Sequence, residues 1–236
     1  MKPMNRFLRS GLAAVFLFCL LSPLLCADTL TYNEAEGDLR VTHTISIAPA
    51  SPGYRIELES RYNDGHAVRQ TFRTAADLST AAWTFSDPGR QMELAAGFRG
   101  GEIVLSGSFR GSRVDKRFDA SGPPWNQLFQ IGLQPFVLAG GSSRQFRSIG
   151  TQGPGELKIG KFTVTRSGQE KISLAGKDLA AVHLRISLSG LLSIFWHGDY
   201  WYRQADGRFL RYRGKNRSGG PEAVSELVQE KADAAR

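Results

Sequence analysis

Apolar and polar positions alternate with a period of two over most of the chain, from Thr29 to about Arg213. The segment Tyr54–Tyr62 shows this best, because its apolar side chains share one face and its charged side chains share the other. A helix would scatter those charges around its circumference, whereas a strand separates them. Similar runs occur at 41–47, 92–98, 103–109 and 182–188. The pattern predicts strands with one buried and one solvated face.

Turn sequences separate these runs. Asn63-Asp64-Gly65, Asp87-Pro88-Gly89, Gly100-Gly101 and Asp206-Gly207 supply the glycines that tight hairpins require at positive φ. Consecutive strands joined by hairpins form an antiparallel meander, here of roughly ten short strands. A meander of this size must protect its free edges, and curling is the usual solution. The sequence therefore predicts an all-β fold, a strongly curved sheet or incomplete barrel.

Two segments depart from the alternation and predict helices. Between Trp125 and Phe136 the apolar residues recur at helical spacing, and Pro135 is expected to end or kink that helix. This helix would plug the mouth of the sheet or lie across its concave face. From about Pro221, an apolar stripe of Val224, Leu227 and Val228 predicts a short, polar C-terminal helix.

The first 27 residues resemble a secretory signal. Three basic residues precede the apolar run Gly11–Leu25, and a small residue, Ala27, precedes the polar segment that follows. Removing these residues from the total of 236 leaves 209, predicted to form a single domain from 28 to 236. The leader holds three of the 30 basic residues and no acid, so the net charge falls from +8 to +5. We therefore expect a periplasmic or secreted protein. The alternative is a lipoprotein anchored through Cys26.

Composition excludes several classes of protein. An apolar content of 41% argues against general disorder, and Cys19 and Cys26 both lie in the leader. The remaining chain therefore has no disulfide framework and no cysteine metal site. The histidines lack metal-ligand spacing, and neither a metal nor a cofactor is expected. His43 is expected to be a core histidine on an apolar strand face, with hydrogen-bond partners for its ring nitrogens. A hydrolase that uses His197 and Asp199 is kept as an alternative.

The closing segment Ile194–Tyr212 is rich in aromatic residues and is followed by basic ones. Arg211, Arg213, Lys215 and Arg217 alternate, which predicts a basic stripe on one face. Aromatic rings and arginines can together hold an acyl chain and an anionic headgroup. Strands also favour Trp and Tyr for structural reasons alone. Nucleic acid is an unexpected partner for an exported protein, although basic stripes often bind it.

Several of these features together resemble an exported bacterial family, domain of unknown function number three thousand one hundred and eight. They are the leader, the Leu30–Tyr32 opening strand, the PPWNQLF segment and the closing FWHGDYWYRQADGRFLRY hairpin. The resemblance spans nearly the whole chain after the leader. It implies an extracytoplasmic curved β-sheet protein and carries over no catalytic residue. More distantly, the architecture is similar to periplasmic lipoprotein carriers, in which an unclosed barrel with a helical lid holds acyl chains.

The leading hypothesis is non-catalytic binding of a hydrophobic or amphipathic ligand, such as a lipid, inside the curved sheet. The residues expected to bind it are Trp125, Phe129, Phe136, Trp196, Tyr200, Tyr202, Arg211 and Arg213. The second hypothesis is an envelope assembly protein that docks through the basic aromatic hairpin, to an anionic membrane surface or to another envelope protein. A cavity of about 300 Å³ or more inside the sheet would favour the ligand-binding hypothesis.

Overall fold

The computed structural model describes residues 28–152, 155–190, 196–216 and 219–232. The expected leader, including Cys19 and Cys26, lies outside these residues, as does Arg217. Fourteen strands form one antiparallel sheet. The strands are β1 (Asp28–Glu36), β2 (Leu39–Ala50), β3 (Gly53–Tyr62), β4 (Ala67–Thr74), β5 (Thr80–Asp87), β6 (Met92–Arg99), β7 (Glu102–Phe109), β8 (Ser112–Asp119), β9 (Ser143–Gln152), β10 (Glu156–Leu174), β11 (Lys177–Leu188), β12 (His197–Arg203), β13 (Phe209–Gly214) and β14 (Ala223–Ala232).

The sheet consists of two meanders joined by the first and last strands. Its order is β8-β7-β6-β5-β4-β3-β2-β1-β14-β13-β12-β11-β10-β9, so β1 pairs with β14 near the middle. The sheet is strongly curved and does not close, which confirms the predicted fold class. The edge strands are β8 and β9, and we call the gap between them the seam. Among the described strands no ladder crosses the seam.

The main core lies on the concave face of the sheet. Alternating side chains of each strand point to this face, as the buried positions of β3 show at Ile56, Leu58 and Ser60. The largest side chains that are almost fully buried include Trp125, Tyr32, Tyr202, Phe72 and Phe146. A small second cluster lies on the convex face, where Ile172 and Leu174 of β10 and Ala181 of β11 pack with Leu210 of β13.

The mid-chain helix is shorter than predicted and starts later. Residues 125–128 are not helical, and two short helices follow, α1 (Phe129–Gly132) and α2 (Gln134–Ala139). Pro135 does not end the helix, because it lies in the first turn of α2, where its missing N–H has no intrahelical role. Gly140 ends α2 at a φ of 74°. Against expectation, Trp125 lies beside β9, where it forms a parallel bridge with Arg147.

The predicted C-terminal helix is wrong, because residues 223–232 form β14. This strand occupies the space between β1 and β13 and hydrogen-bonds to both. Without it, both neighbours would expose unpaired backbone groups. Ala223 and Ser225 are buried on one face, with Leu227 half-buried beyond them. The ladder bonds thus outweigh the helical propensity of this Ala- and Glu-rich segment.

Arg147 holds the two sides of the seam together. This β9 side chain is 5% exposed. Its guanidinium donates hydrogen bonds to the backbone oxygens of Asp119, Ala120 and Pro123, at 2.6, 2.8 and 2.8 Å. Lys116 of β8 also pairs with Glu156 of β10 at 2.9 Å. At the seam, side-chain hydrogen bonds and an ion pair therefore join the two ends of the unclosed sheet, in place of a β-ladder.

Candidate functional site

The concave face contains a cleft of about 480 Å³ between the sheet and α1. Its apolar walls are formed by Ile45, Leu58, Val68, Phe85, Leu128, Phe129 and Phe209. Polar and ionisable side chains also reach the cleft, among them Glu34, His43, Ser60, Gln70, Asp87 and Arg90. Ligand sites are typically concave, largely apolar and supplied with a few convergent polar groups. The volume also exceeds the roughly 300 Å³ that such a site requires.

A second hollow, of about 530 Å³, lies at the seam beside Arg147. Most of the residues that line it are exposed or half-exposed, including Arg117, Asp119, Ser121 and Lys161. The cleft, in contrast, is lined in part by buried residues of the main core, such as Ile45, Leu58 and Phe209. The cleft is therefore the stronger candidate site.

Three polar side chains form a row across neighbouring strands at one end of the cleft. Glu34 lies on β1, His43 on β2 and Ser60 on β3, all on the concave face. His43 and Ser60 are direct cross-strand partners. His43 Nδ1 lies 2.8 Å from Ser60 Oγ, and His43 Nε2 lies 3.4 Å from Glu34 Oε2. We call these three residues the polar row.

Glu34 is ionised in this row. Burial raises the pKa of its carboxyl group, but the interaction with His43 and a hydrogen bond from Asn216 outweigh burial, so its pKa is lowered. Asn216 Nδ2 donates to Glu34 Oε1 at 2.9 Å. On the other side of Glu34, Ser225 is its direct partner on β14 and also lines the cleft.

The lowered pKa of Glu34 predicts a pH effect on stability. A carboxyl group whose pKa is lower in the folded state stabilises that state above its unfolded pKa, and the contribution disappears as pH falls through the folded pKa. Glu34→Gln should therefore be less stable than the natural chain at pH 7, with the difference shrinking below about pH 4.5. Urea unfolding at several pH values measures this difference. A difference that is constant from pH 7 to pH 3 would contradict the assignment.

A second buried carboxylate, Asp87, lies at the cleft near the polar row. Its side chain is fully buried, and His66 Nε2 lies 3.0 Å from Oδ1. The backbone N–H of Arg90 donates to the same oxygen at 3.0 Å and so caps the short 3₁₀ turn Pro88–Arg90. Asp87 Oδ2 makes no hydrogen bond among the described residues, although Arg90 Nη1 lies 3.8 Å from the carboxylate. The lining of the cleft thus includes a buried carboxylate whose partners are His66 and Arg90.

The aromatic residues expected to bind a ligand lie in three different places. Phe129 and Tyr200 line the cleft, with their ring centroids 6.4 Å apart. Trp125, Phe136 and Tyr202 are buried in the core, and the hydroxyl of Tyr202 donates to the backbone oxygen of Phe129. Trp196 packs edge-on against Phe162 and donates to the backbone oxygen of Lys215. Ligand contact by these six residues stays a prediction.

The two arginines in the expected site lie on the convex face, opposite to the cleft. Arg211 Nε donates to Glu226 at 2.7 Å, and Arg213 Nε donates to Glu222 at 2.8 Å. Each arginine therefore has an acidic partner on or just before β14. The structure does not bring them together with Phe129 and Tyr200.

Asp199, which the hydrolase alternative pairs with His197, pairs with other residues. His183 Nε2 lies 2.9 Å from Asp199 Oδ1, and Arg185 Nε donates to the same oxygen at 3.1 Å. Burial raises the pKa of Asp199, but the contacts with Arg185 and His183 outweigh it and lower that pKa. His197 is exposed, and no hydrogen bond joins its described atoms to Asp199. This convex cluster is a network of ion pairs.

The described residues contain no group of three or more His, Cys, Asp and Glu side chains arranged to hold a metal ion. Within the same part of the chain, none of the helices has the length and apolar character needed to cross a membrane.

No protein-family model matches the chain, and no curated protein matches it. The resemblance to the exported bacterial family is therefore not confirmed. A solved structure of the hypothetical lipoprotein YmcC from Escherichia coli K12 is similar to this chain, with a TM-score of 0.39 and 10% sequence identity. The similarity covers 87% of this chain and 88% of that chain. Because the score and the identity are low, the function proposed below rests on the cleft.

Sequence reasoning did not identify the polar row. It treated His43 as a satisfied histidine and did not single out Glu34 or Ser60. One signal was present, because His43 and Ser60 each interrupt an otherwise apolar row on their strands. Only the register of β2 against β3 shows that the two interruptions are neighbours.

Proposed function

We propose that the protein is exported to the cell envelope and binds an amphipathic ligand, such as a lipid, in the cleft. The observation that carries the proposal is a cleft of about 480 Å³ with apolar walls and polar groups at one end. The leader-like residues 1–27 support export, since they combine basic residues with an apolar run.

In this proposal, the apolar walls and the polar groups of the cleft bind different parts of the ligand. Side chains such as Leu58, Val68 and Phe85 remove an acyl chain from water, which stabilises the complex by about 0.8 kcal/mol for each buried CH₂ group. Glu34, Asp87 and their partners provide hydrogen-bond acceptors and donors for the polar end of the ligand. The basic residues Arg211 and Arg213 have no part in this site, because they lie on the convex face.

Filling the cleft tests the proposal. Val68→Trp places a large ring at the cleft wall, so the affinity for a fluorescent fatty acid or phospholipid should fall at least about tenfold. The matched control is Thr71→Trp on the same strand, because odd-numbered positions of β4 face the convex side and Thr71 pairs with Glu57. Fluorescence titration measures the affinity, and native mass spectrometry of envelope-purified protein shows whether a lipid is carried.

Two outcomes would overturn the proposal. One is equal affinity in Val68→Trp and Thr71→Trp, since binding would then occur outside the cleft. The other is purification of ligand-free protein that gives no fluorescence response to either lipid class. Circular dichroism of both variants is needed, because overpacking at Val68 costs about 1–3 kcal/mol of stability.

A further inference from the structure

The ionised Glu34 determines which ring nitrogen of His43 carries a hydrogen. A carboxylate only accepts hydrogen bonds, so the ring nitrogen that faces it, His43 Nε2, carries the hydrogen. In the neutral imidazole the other nitrogen, Nδ1, is then an acceptor. In this tautomer of the neutral ring, Ser60 Oγ, 2.8 Å away, donates its hydroxyl hydrogen to Nδ1. The hydroxyl of Ser60 is thus hydrogen-bonded to a base that a carboxylate orients.

We propose that Ser60 is a nucleophile that attacks acyl esters in the cleft, with His43 as its general base and Glu34 as the residue that positions His43. A serine activated by an adjacent base, which a third group orients, is the arrangement that nucleophilic catalysis requires. The inference rests on the proposed function, because the apolar walls of the cleft would hold the acyl chain of such an ester. The substrate class is therefore an acyl ester of an alcohol, such as a glycerolipid.

The reaction proceeds in two steps. Ser60 Oγ attacks the carbonyl carbon of the ester while His43 Nδ1 takes the hydroxyl proton. The bond from carbonyl carbon to alcohol oxygen breaks, His43 returns the proton to the leaving alcohol, and the acyl group stays on Ser60 as an ester. Water then attacks this ester, and His43 takes a proton from the water and returns it to Ser60 Oγ. The net reaction is hydrolysis of one ester to one carboxylic acid and one alcohol.

In this proposal, hydrogen-bond donors that line the cleft stabilise the negative charge that develops on the carbonyl oxygen. The Tyr62 hydroxyl and the Arg90 guanidinium belong to residues that line it. Burial raises the pKa of Tyr62, so this hydroxyl keeps its hydrogen at neutral pH. Donors aimed at a developing oxyanion are a major source of rate acceleration in acyl transfer.

An alkyl fluorophosphonate tests the proposal on the full chain. The Ser60 oxygen displaces fluoride from phosphorus, His43 takes the proton, and the adduct adds a fixed mass to the Ser60 peptide. The expected result is an adduct on Ser60 of the natural chain and none at this peptide in Ser60→Ala. Ser46→Ala is the matched control, because Ser46 is an exposed serine of β2 on the convex face, opposite to the cleft. Its labelling rate should equal that of the natural chain.

Variants of the general base, His43, and of the positioning residue, Glu34, test their separate roles. His43→Ala should slow labelling at least about 100-fold, the usual contribution of a general base. Glu34→Gln should slow labelling less, and Glu34→Asp, which keeps a carboxylate, should restore part of the rate. A role in packing alone would instead leave Glu34→Gln labelling at the natural rate, because glutamine has almost the same shape. The affinity for dodecyl maltoside, an unreactive amphiphile, measures binding to the cleft separately.

The outcomes separate this inference from the proposed function. If dodecyl maltoside binds in the cleft but no adduct forms on Ser60, the nucleophile proposal is wrong and the binding proposal stands. If neither binding nor labelling occurs, both are wrong. An adduct on Ser60 that forms equally fast in a folded His43→Ala variant would also overturn the proposal, because the serine would then need no base. The Ser60→Ala and Ser46→Ala pair decides the question even when His43→Ala does not fold.

Discussion

Replacing Arg147 by methionine is expected to lower the free energy of unfolding by about 3 kcal/mol. The methionine keeps much of the buried stem but removes the guanidinium, which donates to three backbone oxygens across the seam. Those oxygens would lose a charged donor whose side chain is almost fully buried, and hydrogen bonds to charged groups are among the stronger ones. Urea unfolding followed by circular dichroism measures the change.

Arg144→Met is the matched control for this prediction. Arg144 lies on the same strand and is half-exposed, and its side chain makes no hydrogen bond among the described residues. A surface substitution of this kind changes stability by less than about 0.5 kcal/mol. Equal losses in the two variants would show that the guanidinium of Arg147 does not hold the seam.

The sequence was a good guide wherever one face of a strand is buried. In β3, Ile56 and Leu58 are buried while Arg55 and Glu57 are exposed, as the alternation predicts. A shift of one residue would turn every apolar side chain to solvent, so burial determines the register strongly. The curved, unclosed sheet follows from many such strands joined by tight turns.

The sequence was a poor guide where distant segments decide the local structure. Residues 223–232 have helical propensity, but they become β14 because β1 and β13 both offer unpaired backbone groups. This strand also explains the two arginines of the expected site. Glu226 on β14 and Glu222 just before it pair with Arg211 and Arg213. A helical tail would not have placed these acids beside the arginines.

At the candidate site, the polar row likewise depends on contacts between distant segments, which the sequence alone does not show. Glu34, His43 and Ser60 are separated along the chain by nine and by 17 residues, which matches no short motif. Their proximity depends on the hairpin β1–β2 and on the pairing of β2 with β3. The sequence indicates that a polar residue interrupts an apolar face, but the register is needed to show that two such interruptions are neighbours.

Truncation of the core residue Trp125 should lower the stability more than any of the other substitutions proposed above. Trp125→Ala is expected to lower the free energy of unfolding by about 3–5 kcal/mol, as for other large buried aromatic residues. The indole is 1% exposed, packs edge-on against Phe98 and donates to Gln127 Oε1 at 2.8 Å. Chemical denaturation of the purified variant gives the value.

Two further measurements separate a packing role for Trp125 from a ligand-binding role. Phe98→Ala removes the ring packed against the indole, but Phe98 is 47% exposed, so the loss should be only about 1 kcal/mol. Trp125→Phe should recover part of the stability, and it should bind a fluorescent fatty acid as the natural chain does. Because the cleft is lined by Phe129 and Tyr200 and does not include Trp125, unchanged stability with weakened binding in Trp125→Ala would contradict this assignment.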